Sequence, residues 1–310
     1  MKTTGLLKTS LFATAALFAF GGAAQAQDIY AMVSAANAQV AANSKDYRIE
    51  MAEYVTNLES NEVGRILFFS DRGNRRLAFD FVPGDPRRIG AGWGGPGANI
   101  NFALDDVDLT ADIAGTSELD EIRAAMATWE NVTCSTIPLT DRGNTGADVG
   151  LVEFLLGFGG TGGVSADIQH SGFLPPAFFD AIAAGGGTFI LGVTFTFIWV
   201  SGGNPTDIDN NHVNDAAFRE IYYNDAFTWE VDPNDQPGDG RFDIQTIALH
   251  EAGHGLSQAH FGDLFRSPGN NQLHHAPLAV MNAGYRFGQQ QLTGTDRGGH
   301  CDNWGSWPQN

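Results

Sequence analysis

The sequence predicts an α+β chain, and three stretches carry that prediction. Residues 189–200 form a continuous apolar, β-branched run of the kind that fills a buried strand. In residues 117–130, Leu119, Ile122, Met126 and Trp129 recur at helical spacing and make one apolar stripe. Residues 243–254 open with Asp243, which can cap a helix N-terminus, and Ile244, Ile247 and Ala248 follow at three- and four-residue spacing.

From the start of the chain, Lys2 and Lys8 precede an apolar run over 11–20 and small residues ending Ala24-Gln25-Ala26. This predicts a signal peptide over 1–26, cut after Ala26, and hence a secreted protein, extracellular or periplasmic. The run is too short to span a bilayer, and no later run reaches that length, so no membrane anchor is expected. Residues 28–60 are mixed and moderately helical. Residues 65–69 and 77–81 flank Asp71-Arg72-Gly73-Asn74 and read as a hairpin. Residues 82–97, rich in Pro and Gly, read as a linker. Residues 27–90 are therefore expected to be a propeptide or an added β layer ahead of a main domain over 91–310.

In that domain, residues 99–104 read as a first strand. Ser117 can cap the following helix, with Glu118, Asp120 and Glu121 favourable in its first turn. Residues 147–154 read as a second strand. The glycine-rich stretch 157–163 lacks the Lys and the following helix of a phosphate loop, and reads as a flexible loop. Residues 218–229 are another strand and 232–240 an exposed acidic loop. Four glycines between Gly294 and Gly305 make the tail a poor helix.

Charge narrows the partners. The 310 residues carry 36 Asp and Glu against 17 Lys and Arg, a net −19. Such a chain is repelled by nucleic-acid phosphates and by anionic membranes. Cys134 and Cys301, the only cysteines, both lie in the exported part, and an oxidising compartment predicts a disulfide between them.

The chemistry gathers at His250-Glu251-Ala252-Gly253-His254. On a helix the two histidines are one turn apart and point the same way, so they can hold one zinc ion. Glu251, beside them, can take a proton from a water held at the metal. His260 lies six residues further on. A continuing helix would carry it about 9 Å along the axis, at roughly 1.5 Å per residue. It reaches the metal only if the chain turns sharply after Leu256. Three histidines leave the fourth zinc position open, which marks a catalytic site. His274 and His275 are rival third ligands, ranked behind His260. No Glu follows Glu251, so a third ligand of that type is excluded.

The spacing His250-Glu251-x-x-His254-x-x-x-x-x-His260 resembles the metzincin zinc-peptidase signature. Val280-Met281-Asn282-Ala283-Gly284-Tyr285 resembles the Met-turn of that clan, with Tyr at the matrixin spacing. Residues 221–229 and 242–248 are similar to the strand and helix entry of bacterial matrixin-like proteins. The resemblance covers roughly 91–310 and is strongest over 218–285. It implies a zincin-like fold: a twisted, mostly parallel mixed sheet, a helix packed on it, the zinc helix below, and an irregular C-terminal subdomain. It also implies that Met281 supports the metal from below and that Tyr285 walls the substrate pocket. The family normally has Gly where this chain has Ser257. If that position needs a positive φ, Ser is strained by about 1 kcal/mol or more, unless the turn is made at Gly255 or Gly262. The expected function is a secreted zinc endopeptidase acting on proteins or peptides. The rival is a secreted zinc-binding, surface-interaction protein with little turnover.

Asp207, Asp209, Asn211 and Asp215 stand at positions 1, 3, 5 and 9 of a polar loop, a spacing that can wrap calcium. His212 and Phe218 occupy the sixth and twelfth places, so the loop is not an EF-hand.

Overall fold

A mixed sheet separates two hydrophobic cores. The computed structural model describes residues 28–70, 79–89, 99–115, 117–232, 234 and 239–309. The expected signal peptide, the turn at 71–74, half of the linker and part of the acidic loop lie outside these residues. In chain order the elements are α1 (Ile29–Ala42), β1 (Tyr47–Asn57), β2 (Ile66–Phe68), β3 (Phe79–Asp80), β4 (Ile100–Leu104), α2 (Ser117–Glu130), β5 (Leu139–Asn144), α3 (Leu151–Leu156), β6 (Ile168–Leu174) and α4 (Pro176–Ile182). They continue with β7 (Ile190–Ser201), β8 (Asn204–Pro205), β9 (Asn214–Asn224), β10 (Thr228–Glu230), β11 (Arg241–Asp243), α5 (Ile244–Gly255), β12 (Asp263–Arg266), β13 (Leu273–Ala276), β14 (Gly284–Tyr285) and α6 (Gly294–Trp304). None of the described helices is long and apolar enough to cross a membrane.

The main sheet runs β14-β1-β7-β9-β6-β4-β5, with β2, β3 and β8 paired alongside. The expected α+β class is what is seen, but the sheet is more mixed than expected. β5, β4, β6 and β9 run parallel, while β7 is antiparallel to both neighbours, β1 and β9.

β7 shows how sequence alternation builds the two cores. Val193, Phe195, Phe197 and Trp199 point to one face, where they pack with α1, α3 and α4 through Val33, Leu151, Phe178 and Phe179. Phe197 stacks on Phe218 of β9 at 4.1 Å between ring centroids. Burying each such side chain is worth about 1.5–3 kcal/mol. The opposite face carries Gly192, Thr194 and Thr196, small enough for α5 to lie close. A Cβ on Gly192 would stand only 3.1 Å from Ile247 of α5. α2 packs on the far side of α5, and Trp129 donates from its indole N–H to the Leu249 carbonyl at 2.8 Å.

Three local expectations are corrected. The stretches around 65–69 and 77–81 do not form a hairpin with each other: β2 pairs with β1 and β3 with β9. The 28–60 stretch is mixed, as expected: α1 is followed by β1 and a 3-10 turn over Leu58–Ser60. The strand expected over 147–154 is instead a loop leading into α3, and β5 supplies the second strand. α3 starts there because Glu220 of β9 accepts the N–H groups of Leu151 and Val152 at 2.8 and 2.9 Å, a service Gly150 cannot perform. The glycine-rich tail does form a helix, α6. Thr293 and Asp296 make a capping box at its start, and Trp304 is buried near its end, donating to the Leu256 carbonyl at 2.8 Å. The Cys134–Cys301 disulfide is present and ties α6 to the chain beyond α2.

Candidate metal centre

The three histidines that could hold a metal come from the end of α5 and the turn after it. Asp243 caps α5 by accepting the Thr246 N–H at 2.7 Å. At the other end, Ser257 N–H donates to the His254 carbonyl and Gln258 N–H to the Gly253 carbonyl, at 3.0 and 2.9 Å. This pair of bonds is a Schellman turn with Ser257 in the left-handed position, φ +65°. The sharp turn expected after Leu256 is therefore made at Ser257. Its hydroxyl donates to the Phe79 carbonyl at 2.7 Å and accepts from the Arg219 guanidinium at 3.0 Å. Arg219, wholly buried, also donates to the Gly255 carbonyl at 2.6 Å. A buried arginine thus fastens the helix end to the strand bearing it.

The turn brings His260 back to the other two histidines. His254 Nε2 lies 3.0 Å from His250 Nε2 and 3.2 Å from His260 Nε2. A tetrahedral ion with bonds of about 2.0–2.1 Å would set its donors about 3.3 Å apart. The other ring nitrogens settle the tautomers. His250 Nδ1 faces the Val280 carbonyl at 2.7 Å and His254 Nδ1 the Gln258 carbonyl at 2.8 Å. A carbonyl only accepts, so both Nδ1 atoms carry the proton and both Nε2 atoms present lone pairs to the common centre. Lone pairs converging at these distances repel one another unless a cation stands among them, so the donor set fits a metal. Burial and the neighbouring imidazoles hold His250 and His260 well below the usual histidine range, which keeps them neutral. Burial, the largest single influence, lowers His254 too, but the Glu53 carboxylate 3.3 Å from its Nδ1, Glu251 and the Gln258 carbonyl together raise it.

Glu251 is fully buried. Its Oε2 accepts from the Thr194 hydroxyl at 2.6 Å, and its Oε1 has no hydrogen-bond partner among the described residues. Burial pushes this carboxyl up to about 7, with His254 and the Thr194 hydroxyl working against it. A base near neutrality with one free oxygen can take and return a proton.

The 279–284 turn lies beneath. Met281 is buried against Gly253, where any side chain would collide with its sulfur and with Trp129. Asp296 of α6 accepts the N–H groups of Val280 and Met281 at 3.0 and 3.1 Å, which aims the Val280 carbonyl at His250. Phe261 N–H donates to the Met281 carbonyl at 2.8 Å and so pins the chain just after His260. Tyr285 accepts the Asp243 N–H at 3.2 Å and lines a cavity of about 30 Å³ beside His250, with Val55, Ile247 and Val280.

His274 and His275 lie on β13 and, like Asp263, outside the three-histidine cluster. In the candidate calcium loop, oxygens of Asp207, Asp209 and Asp215 come within 4.8 Å of one another and could hold a metal. Asn211 does not join them as an oxygen donor: its oxygen accepts the Val213 N–H, and its amide donates to Asp80 and Asp209. Asp215 is also paired with Arg87 at 2.7 Å.

Thr194, Arg219, Glu53 and Asp296 were not singled out from the sequence. The alternation of small and large residues in β7 is a signal that could have pointed to Thr194. Glu53, Arg219 and Asp296 reach the site only through the tertiary fold.

β1 closes the site. It runs antiparallel to β7, with Tyr54 opposite Val193 and Val55 opposite Gly192, and parallel to β14, with Thr56 opposite Gly284. Under it His250 and His254 are buried. No family model matches this chain, and no curated protein matches it.

Proposed function

We propose that this protein is a secreted zinc endopeptidase of the metzincin kind. The observation that carries the reading is the convergence of three Nε2 atoms, those of His250 and His260 standing 3.0 and 3.2 Å from that of His254, beside a buried carboxylate with one unpartnered oxygen. Three imidazoles from His250, His254 and His260 suit zinc better than the hard cations, which prefer oxygen. Zinc, when bound, supplies the Lewis acidity that polarises a peptide carbonyl and acidifies water. Glu251 takes the proton of the attacking water at Oε1 and returns it to the leaving amine. Thr194 holds Oε2 and so fixes which oxygen is free. Met281 and Tyr285 shape the floor and wall. The reading includes calcium in the loop of Asp207, Asp209 and Asp215.

An extended substrate must bring a peptide bond to Glu251, and the strand edge beside Glu251 belongs to β7. β1 already pairs with that edge. Residues 27–90 therefore act, in this reading, as a covering segment, and turnover begins once β1 leaves. The buried Glu251 also favours the rival, a zinc-binding protein with little turnover.

The test separates the two by paired measurements of zinc per chain and peptide hydrolysis, with the N-terminus followed by mass spectrometry. Parental protein is expected to bind one zinc in the histidine cluster and to hydrolyse peptide after loss of residues N-terminal to β2. Glu251→Gln should keep zinc and lose at least about 10²- to 10⁴-fold in rate. His260→Ala should lose both. Full zinc without hydrolysis in every N-terminal form supports the rival. Full zinc and activity in His260→Ala removes the proposed ligand set.

A further inference from the structure

A second group of acids lies away from the histidines. Asp108 follows β4, Asp148 precedes α3 and Glu153 sits on α3. One carboxylate oxygen from each falls within 4.8 Å of the others. Two oxygens bound to one calcium at about 2.4 Å can be at most about 4.8 Å apart, so the spread matches a shared ion.

Glu153 is what makes this more than a cluster of acids. Its side chain is wholly buried, and neither of its carboxylate oxygens has a hydrogen-bond partner among the described residues. Asp148 Oδ1 is likewise buried and unpartnered. The chain is folded around these oxygens. A Cβ on Gly160, φ +71°, would stand 2.7 Å from Glu153 Oε1, and one on Gly150 would collide with the same oxygen. The glycine-rich stretch closes over the acids: Gly160 N–H donates to Asp148 Oδ2 at 3.0 Å, and Thr161 N–H to the Asp148 carbonyl at 3.1 Å. Burial, then Asp148 and Asp108, push the Glu153 carboxyl up to about 10, and burial with Asp148 and Asp105 pushes Asp108 up to about 6. Among the described residues, the charged neighbours that shift these two groups, Asp148, Asp108, Asp105 and Glu220, are all acidic. A proton shared between Glu153 and Asp148 would satisfy one Glu153 oxygen and leave the other bare. A hard divalent cation satisfies all of them together.

We propose that Asp108, Asp148 and Glu153 form a calcium site, with the 157–163 stretch as its cover. The site does not depend on the peptidase reading, and its test reads binding and melting rather than turnover. The full exported chain is purified with its zinc, freed of calcium, and titrated with calcium chloride by calorimetry and thermal melting. An Asp209→Asn background disables the other acidic loop. In that background one calcium is expected to bind and to raise the melting temperature. Adding Asp148→Asn or Glu153→Gln should weaken binding at least tenfold and abolish most of the rise. Gln also imitates a protonated Glu153. If a proton alone neutralises the cluster, the Asp209→Asn protein melts at the same temperature with and without calcium, and Glu153→Gln melts no lower; that result overturns the proposal. Unchanged calcium affinity in either added variant overturns it as well. Asp148 is partly exposed, so Asp148→Asn serves should Glu153→Gln fail to fold.

Discussion

Ser257 holds a left-handed backbone that glycine adopts freely, and its hydroxyl meets two partners that glycine cannot reach. The two effects oppose each other. The backbone strain is about 1 kcal/mol, and each hydrogen bond returns about 0.5–1.5 kcal/mol, or more toward the charged Arg219. Ser257→Gly should therefore lie within about 1 kcal/mol of the parent, gaining in backbone what it loses in bonds. Ser257→Ala keeps the strain and loses the bonds, so it should be the less stable of the two by about 1–3 kcal/mol. Chemical denaturation of both variants checks the order, and a more stable Ser257→Ala would refute it. Residues of this kind mark the limit of what the sequence shows. The histidines and Glu251 were legible because helix periodicity alone brings His250, Glu251 and His254 together. The partner that makes Ser257 tolerable is 38 residues away on β9, and no local pattern announces it.

Among the elements, α6 was the hardest to foresee and organises the most. Its glycines argue against a helix, and the capping box, the disulfide and buried Trp304 outweigh them. His300 on this helix is buried, stacked on Trp129 at 5.4 Å between centroids, and bonded to Ser135 at 2.9 Å. Burial lowers it to about 4. A histidine depressed in the folded state binds fewer protons there than when unfolded, so its contribution to stability is present above the unfolded value of about 6.5 and is lost as pH falls toward about 4. The loss at pH 4 is roughly 3 kcal/mol. Urea midpoints of the parent and His300→Gln should therefore converge or cross between pH 7 and pH 4, the metal histidines being common to both. A difference that stays constant with pH would show that His300 is not the group responsible. The elements that were legible, α2, α5, β4 and β7, have a strong single periodicity. The α3 stretch reads as a strand because Leu151-Val152 looks β-like locally, and the Glu220 carboxylate from β9 is what lets a helix start there.

For the whole molecule, the Cys134–Cys301 bond joins residues 167 apart. In the chain-entropy model, closing a loop of that size is worth about 5 kcal/mol as an upper expectation. Replacing both cysteines with serine should lower the unfolding free energy by several kcal/mol and loosen α6. Because α6 aims the Val280 carbonyl through Asp296, zinc affinity should fall in the same variant. A variant with parental stability and zinc affinity would show that packing alone holds α6.

The place of β1 in the sheet also sets an order of events. Its partners on β7 come roughly 140 residues later in the chain, and β14 later still, so the loop-closure entropy of these pairings is met last. A chain leaves the ribosome N-terminus first. β1 must then wait, its apolar face unpaired, while most of the protein is still arriving. Folding should be slow for this size and prone to aggregation at its start. Pulse-labelled hydrogen exchange should find the β1 amides among the last to gain protection, after those of β4, β6 and β9. The histidine cluster would then be assembled, and open to a metal, before the strand that covers it arrives.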